Sequence, residues 1–387
     1  MIYLDNAATT PISPEVLEAM MPYLREEFGN AGTLYKLGRN AKEAIENSRK
    51  QVAKLINAKP NQIIFTSGAS EANSSVFNSI KDDALFYNKT EILLSNIEHD
   101  SVWKAAENTI PDGFSTVYIP TQSNGTIKIE DAERLITPNT CIVSVMGVNN
   151  ETGAINPINE IAELCRKKKV LFHTDCVQAI GQIAIDVEKI DCDFLTISSH
   201  KIHGPKGVGA LYLKNPDCFI PMILGGHEQE YGRRGGTENV AGIVGFGKAC
   251  EQLLDIKKDF SDLKMRFYTT LIKELVELGI PSNVVKENSP WSKSTDKILN
   301  LTIKGVDSET LVLMLDSSGI CISAGSACRS KESKPSRTLV SMGLTPEDAR
   351  CSVRVSFSQM NTETEVVIAA KVMASSIALL KRMGGEV

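Results

Sequence analysis

Phe194-Leu195-Thr196-Ile197-Ser198-Ser199-His200-Lys201-Ile202-His203-Gly204-Pro205-Lys206-Gly207-Val208-Gly209 runs from an apolar stretch of strand length through a polar cluster into a Gly/Pro-rich turn. A lysine at that junction is poorly explained as a solvated surface charge. It reads as an amine held at the mouth of a sheet, where it can bond covalently to a carbonyl group. Working outward, Ile63-Ile64-Phe65, Ile92-Leu93-Leu94, Cys141 to Val145 and Val170-Leu171-Phe172 are further short apolar runs of buried-strand type. Helical stretches separate them. Pro157 opens one, with Ile158, Ile161, Ala162 and Cys165 on a single face and Arg166 to Lys169 as a basic last turn. Such alternation predicts an α/β domain over residues 14–256, built on a mostly parallel sheet with right-handed crossovers.

After the charged stretch Asp255 to Asp262 the character changes. A long helical segment leads into three strand-like runs, Ile298 to Ile303, Ile320 to Ser323 and Ser352 to Phe357. The last helix carries a capping box, Thr362 with Glu365, and an apolar stripe of Val366, Ala370, Met373, Ile377 and Leu380. A smaller α+β domain is expected here, formed by residues 257–387 together with residues 1–13.

Bulk composition narrows the function classes. The 387 residues are 42% hydrophobic, enough for two cores, and the formal charge of −5 argues against a broad nucleic-acid or anionic-membrane footprint. The start, Met1-Ile2-Tyr3-Leu4-Asp5, has no basic leader, and the apolar run Val366 to Leu380 is interrupted by Lys371 and too short to span a bilayer. Nine cysteines include no Cys-x-x-Cys pair, which fits reduced thiols in the cytoplasm better than a disulfide framework or a zinc ribbon.

The polar candidates share one location, immediately after an apolar run. Ser67 to Glu71 follow one, Asn149 to Gly153 another, Asp175 and Gln178 a third, and Ser198 to Lys201 a fourth. Ligands of open α/β sheets bind beyond the carboxyl ends of the strands, so four such clusters can converge on one small molecule. Gly68-Ala69-Ser70 before a helix offers N–H groups to a phosphate, or is a simple cap. Asp175 suits a protonated ring nitrogen, or caps a helix. His99 follows a strand as well. His200 and His203 are spaced for a shared metal, but no third ligand accompanies them at convincing spacing. Gly204 to Gly209 matches neither a dinucleotide fingerprint nor a P-loop, and reads as a tight turn with close backbone approach.

The Ser-x-His-Lys of Ser198 to Lys201 resembles the Schiff-base motif of the cysteine desulfurases, pyridoxal-phosphate enzymes of the class V aminotransferase type. The resemblance covers nearly the whole chain, through Tyr3 to Pro11, Phe65 to Asn73, Ile97-Glu98-His99 and Val148 to Gly153. It implies that pyridoxal 5'-phosphate bonds to Lys201, and that His99 stacks on the ring and assists proton transfer. Asp175 would pair with the ring nitrogen and Gln178 with the phenolate oxygen. Ala69, Ser70, Ser198 and His200 would hold the phosphate, and Asn150 would contact cofactor or substrate. Arg354, in Ser352 to Ser356, would clamp the substrate carboxylate through its two-pronged guanidinium. By composition Gly225 to Asn239 is a surface loop. The resemblance implies instead that Arg234 to Thr237 enters a neighbouring subunit of a homodimer, where Thr237 binds phosphate.

A second segment, Ser323 to Lys331, sets Cys328 among Gly, Ser and Ala, with Arg329 and Lys331 nearby to favour thiolate. It resembles the Ser-Gly-Ser-Ala-Cys motif of group I desulfurases, with Ala324 replacing the first Ser. The eight residues Arg329 to Ser336 resemble that group's long mobile loop. The implied reaction turns L-cysteine into L-alanine, leaving a persulfide on Cys328 for a sulfur-acceptor protein in iron–sulfur assembly, thiolation or DNA phosphorothioation. One stretch departs from the pattern: Gly29-Asn30-Ala31-Gly32-Thr33-Leu34-Tyr35 stands where the family usually reads Gly-Asn-Pro-Ser-Ser-x-His, and its Asn-Ala-Gly is similar to desulfurases of DNA phosphorothioation. Selenocysteine lyase uses the same chemistry, a class V transaminase would not need Cys328, and a non-catalytic sulfur-relay adaptor would not need Lys201, Asp175 and His99 together.

Overall fold

The apolar runs become strands because burial on both faces leaves no polar side to alternate. A computed structural model describes residues 1–226, 228–255, 259–324 and 335–384. Numbered along the chain, its first strands are β1 (Ile2–Tyr3), β2 (Ile63–Thr66), β3 (Glu91–Ser95), β4 (Ser115–Ile119) and β5 (Thr140–Ser144). β6 (Leu171–Asp175), β7 (Phe194–Ser198) and β8 (Gly209–Leu213) follow. The last five are β9 (Val285–Glu287), β10 (Ile298–Ile303), β11 (Ile320–Cys321), β12 (Ser323–Ala324) and β13 (Ser352–Ser356).

Seven of them form one sheet in the order β2-β8-β7-β6-β5-β3-β4. All its pairs are parallel except those of β8, which runs antiparallel to both β2 and β7. The fold is therefore α/β, with a mostly parallel central sheet. Two of its strands are not evident as apolar runs. β4 is a half-exposed edge strand of mixed polarity, and β8 starts inside the glycine stretch that reads as a turn. Gly209 shows why glycine is needed there: a Cβ would lie 2.8 Å from Ile197 O and 2.9 Å from the Cα of Gly68. The close approach presses β8 against the loop that follows β2.

Helix Ile158–Lys168 has the expected buried face, and Lys169 ends it in the left-handed region at φ 56°. Helix Glu363–Met383 opens with the Thr362–Glu365 capping box. Among the described residues no helix is long and apolar enough to cross a membrane.

The later strands form a four-stranded antiparallel sheet, β12-β13-β10-β9, and a parallel pair of β1 with β11. The run Ile320 to Ser323 does not make one strand. It divides at Ile322, giving β11 to the N-terminal strand and β12 to β13. Leu4 is fully buried in the same apolar cluster as Phe267, Leu271, Val353, Val355 and Met373. That burial stitches the N-terminus onto the C-terminal sheet, and it delivers Asp5, Ala7 and Ala8 to the carboxyl ends of β6 and β7.

Candidate active site

The carboxyl ends of β2, β6 and β7, the N-terminal segment and β12–β13 surround one cavity of 730 Å³. Its walls hold ten of the twelve predicted site residues: Ala69, Ser70, His99, Asn150, Asp175, Gln178, Ser198, His200, Lys201 and Arg354. Thr237 is exposed and does not line it, and Cys328 lies outside the described residues. A second cavity, 530 Å³, opens at the amino ends of the same sheet beside Cys141, Leu171 and Phe194; none of the predicted residues line it.

Lys201 closes a short turn of 3-10 helix directly after β7. Its Nζ donates to Ala7 O and Ala8 O, both at 2.7 Å. Burial, and then the Arg354 guanidinium, lower its pKa to about 8, although Asp5 and Asp175 pull the other way. Roughly a tenth of such an amine is neutral at pH 7, against roughly 0.03% for an ordinary lysine. Only the neutral form attacks a carbonyl, so the burial creates the nucleophile.

Asp175 ends β6 and is buried. Its Oδ1 accepts from Val177 N–H and its Oδ2 from Asn73 Nδ2, each at 3.0 Å. Each oxygen keeps a lone pair for a further donor. Gln178 donates Nε2 to Ala7 O at 2.8 Å; its Oε1 is buried with no partner among the described residues. The amide thus has an acceptor and a second N–H to spare.

The loop after β2 supplies the anion cradle. Gly68, at φ 152°, turns the chain into helix Ala69–Ser79. The first helical bond there runs from Ala72 N–H to Gly68 O, which leaves the N–H groups of Ala69, Ser70 and Glu71 without helical acceptors. His200 faces the cavity with Nδ1 3.1 Å from Thr9 Oγ1. Burial, with Lys201, Lys206 and Lys297 nearby, lowers its pKa to about 4, so it is neutral at physiological pH. His203 instead meets Pro11 O at 3.0 Å, so the two histidines face separate partners.

His99 caps helix Asp100–Glu107: its Nδ1 accepts from Ser101 N–H at 3.1 Å, which leaves the ring proton of the neutral form on Nε2. Arg354, on β13, donates to Asn150 O and to Asp5 Oδ1, both at 2.8 Å, and its Nε is buried with no partner among the described residues. Beside Arg354, Ser323 of β12 also lines the cavity. On the far side of the undescribed stretch 325–334, Ser336 donates to Glu151, and Arg337 donates to Glu98 O at 2.6 Å and Asp100 Oδ1 at 3.0 Å. Ser323 thus lines the cavity on one flank of that stretch, and on the other Arg337 is bonded to the residues on either side of His99.

Several participants escape sequence reasoning. Asp5, Asn73 and Glu98 lie in stretches that carry the resemblance, but nothing in the sequence assigns them a role. Glu98 is fully buried, accepts from Ser95 Oγ and from Met146 N–H, and keeps Oε2 without a partner among the described residues. Burial, reinforced by Asp175, raises its pKa to about 8.

The donor set fits a phosphorylated pyridine aldehyde. A desolvated amine, an acid with spare lone pairs, a spare amide N–H and a helix N-terminus with three free N–H groups line one cavity. That fit rests on the chain itself. Known proteins resemble the chain along nearly its whole length. The family model for Aminotransferase class-V matches residues 2–368. A cysteine desulfurase IscS of Clostridium botulinum (strain Hall) is 41% identical, over 99% of this chain and 96% of that relative. The solved structure of a NIFS-like protein superposes with a TM-score of 0.86 at 32% identity, covering 97% of this chain and 98% of its own. That of SspA in complex with cysteine gives 0.80 at 30% identity, covering 92% and 99%.

Proposed function

We propose, from the premise that this chain belongs to the class V aminotransferase family, that it is a pyridoxal-phosphate-dependent cysteine desulfurase. The observation that carries the reading is Lys201, an amine made nucleophilic by burial at a strand end and facing Asp175 across a cavity that also holds an anion cradle. Bound there, pyridoxal phosphate would supply an aldehyde for amines and a ring that takes up the electron pair left when an α-proton departs. Lys201 Nζ would attach the cofactor, and Asp175 would keep its ring nitrogen protonated. Gln178 would face the phenolate oxygen. Ala69, Ser70, Ser198 and His200 would hold the phosphate.

Arg354 would bind the carboxylate of L-cysteine, its direction fixed by Asp5 and by the carbonyl of Asn150. Asn150 itself lines the same wall. Lys201 Nζ and His99 Nε2 would move protons at the substrate. The Cys328 thiolate would take the substrate sulfur, so that L-cysteine and a thiol become L-alanine and a persulfide. A sulfur-acceptor protein would then collect the sulfur. Cytoplasmic location is supported by the cysteine pattern of the sequence, which holds no Cys-x-x-Cys pair. We further propose the division into a cofactor domain (14–256) and a smaller domain (1–13 with 257–387).

The rate of pyridoxal-phosphate uptake by cofactor-free protein should report the amine. It should climb about tenfold per pH unit up to pH 8 and then level off, because only the neutral amine reacts. A climb continuing to pH 10 would show a lysine of ordinary pKa.

A homodimer is supported by two observations. Thr237 is exposed away from its own cavity, and large apolar side chains stand in solvent on and after helix Pro14–Arg25: Leu17, Leu24, Phe28, Leu34 and Tyr35. Complementation tests both the activity and the shared site. Lys201→Ala and Thr237→Asp should each release no sulfide from L-cysteine. After subunit exchange, heterodimers carry one site with both lesions and one with neither, and activity should return. Exchange without recovery would place Thr237 outside a neighbour's site, and a wild type that releases no sulfide would end the desulfurase reading.

A further inference from the structure

Glu71 is an acid where an anion cradle should not have one. It sits in the first turn of helix Ala69–Ser79 and lines the cavity, with its side chain 8% exposed. Burial would push its carboxyl up, but bonds from Arg234 and Ser67 outweigh it and hold the group below the usual carboxylate range. It is therefore ionised at neutral pH. An unpaired carboxylate there would repel a phosphate dianion and compete with it for the positive end of the helix.

Arg234 answers that charge. Its Nε donates to Glu71 Oε1 at 3.0 Å and its Nη2 to Oε2 at 3.3 Å, while Ser67 N–H donates to Oε2 at 2.8 Å. The segment that carries Arg234 is itself firmly held. Gly235 N–H donates to Ile223 O, and Gly236 N–H to Gln229 Oε1, both at 2.8 Å. A Cβ on Gly235 would lie 2.4 Å from Gly225 N, so only glycine permits this crossing. Further back, Glu230 takes two bonds from Arg49, at 2.7 and 2.8 Å, in a pair only 4% and 2% exposed. Glu230 also accepts from Phe65 N–H on β2. One segment thus grips the cradle on both sides, at Phe65 before it and at Glu71 after it.

We propose that Arg234 is a positioning residue for the cofactor phosphate. Its guanidinium cancels the charge of Glu71 and turns that side chain into a clamp on Ser67, leaving the N–H groups of Ala69 and Ser70 for the phosphate. The inference rests on the cavity being the pyridoxal-phosphate site. Arg234 therefore stays with Glu71 of its own chain, contrary to the expectation that Arg234 to Thr237 enters a neighbouring subunit, and only Thr237, three residues further on, is left for the neighbouring site.

The test is a binding titration of the full-length protein, stripped of cofactor, with pyridoxal phosphate and with pyridoxal, which lacks the phosphate. Arg234→Ala should weaken pyridoxal phosphate about tenfold or more, the order expected for one uncompensated charge near the site, and leave pyridoxal within about twofold. Adding Glu71→Gln, which removes the charge but keeps an acceptor for Ser67, should restore most of the loss. No loss, an equal loss for both ligands, or no recovery in the double variant would each overturn the proposal. A wild type that binds neither ligand would overturn the cofactor reading and this inference with it, whereas a wild type that binds normally beside an unaffected Arg234→Ala would overturn this inference alone.

Discussion

Lys201→Ala should lower alanine formation from L-cysteine by at least about a thousandfold, because on the proposed reading it removes the cofactor's point of attachment and a base in one step. A loss of rate alone would not distinguish chemistry from collapse, so the decisive readout is covalent. Borohydride treatment of the wild type should fix the cofactor to Lys201, where a peptide map will find it, and should fix none to the variant. The variant should still bind pyridoxal phosphate non-covalently through the cradle, since Nζ bonds only to the carbonyls of Ala7 and Ala8 and to no phosphate-binding group. Fixation at Lys206 or Lys297 instead would move the reacting amine and dismantle the site described above.

Cys328→Ser should be as severe for sulfur release and harmless to the cofactor. A free thiol with pKa near ~8.5 is a few per cent thiolate at neutral pH, whereas a serine hydroxyl is essentially never ionised there. Five of the other thiols are poorly suited to replace it. Burial pushes Cys141, Cys165 and Cys176 up to about 12, and raises Cys321 and Cys351 above their ordinary value. The Ser variant should keep its yellow colour, change spectrum when cysteine is added, and release sulfide at background level. Undiminished release would assign sulfur transfer to another group.

What the sequence revealed, and what it hid, follows from the range of the interactions. Strand-end clusters were legible because each is local. An apolar run followed at once by polar residues marks the carboxyl end of a buried strand, and Asp175, Ser198 and Lys201 all line the cavity from such ends. The capping box at Thr362 was legible for the same reason. Pairings across the fold were not. Asp5 meets Arg354, Lys201 meets Ala7, and Glu71 meets Arg234 only after the N-terminal segment and the glycine-rich segment are folded back. Composition describes Gly225 to Asn239 as a solvated loop, yet its Glu230 is buried against Arg49, an arginine that itself lies in the middle of a charged helix. Two-residue strands such as β11 and β12 are too short for any period, so the division at Ile322 had no signal to read.

The central claim is that sulfur leaves L-cysteine for Cys328, and one single-turnover measurement tests it most directly. Holoenzyme is mixed with L-cysteine in the absence of reductant and acceptor, then quenched, and alanine is counted beside the mass of each cysteine peptide. The account predicts one alanine per protomer together with one added sulfur atom on the Cys328 peptide, and none on those of Cys321 or Cys351. Alanine formed without sulfur on Cys328, or no alanine at all, would contradict it.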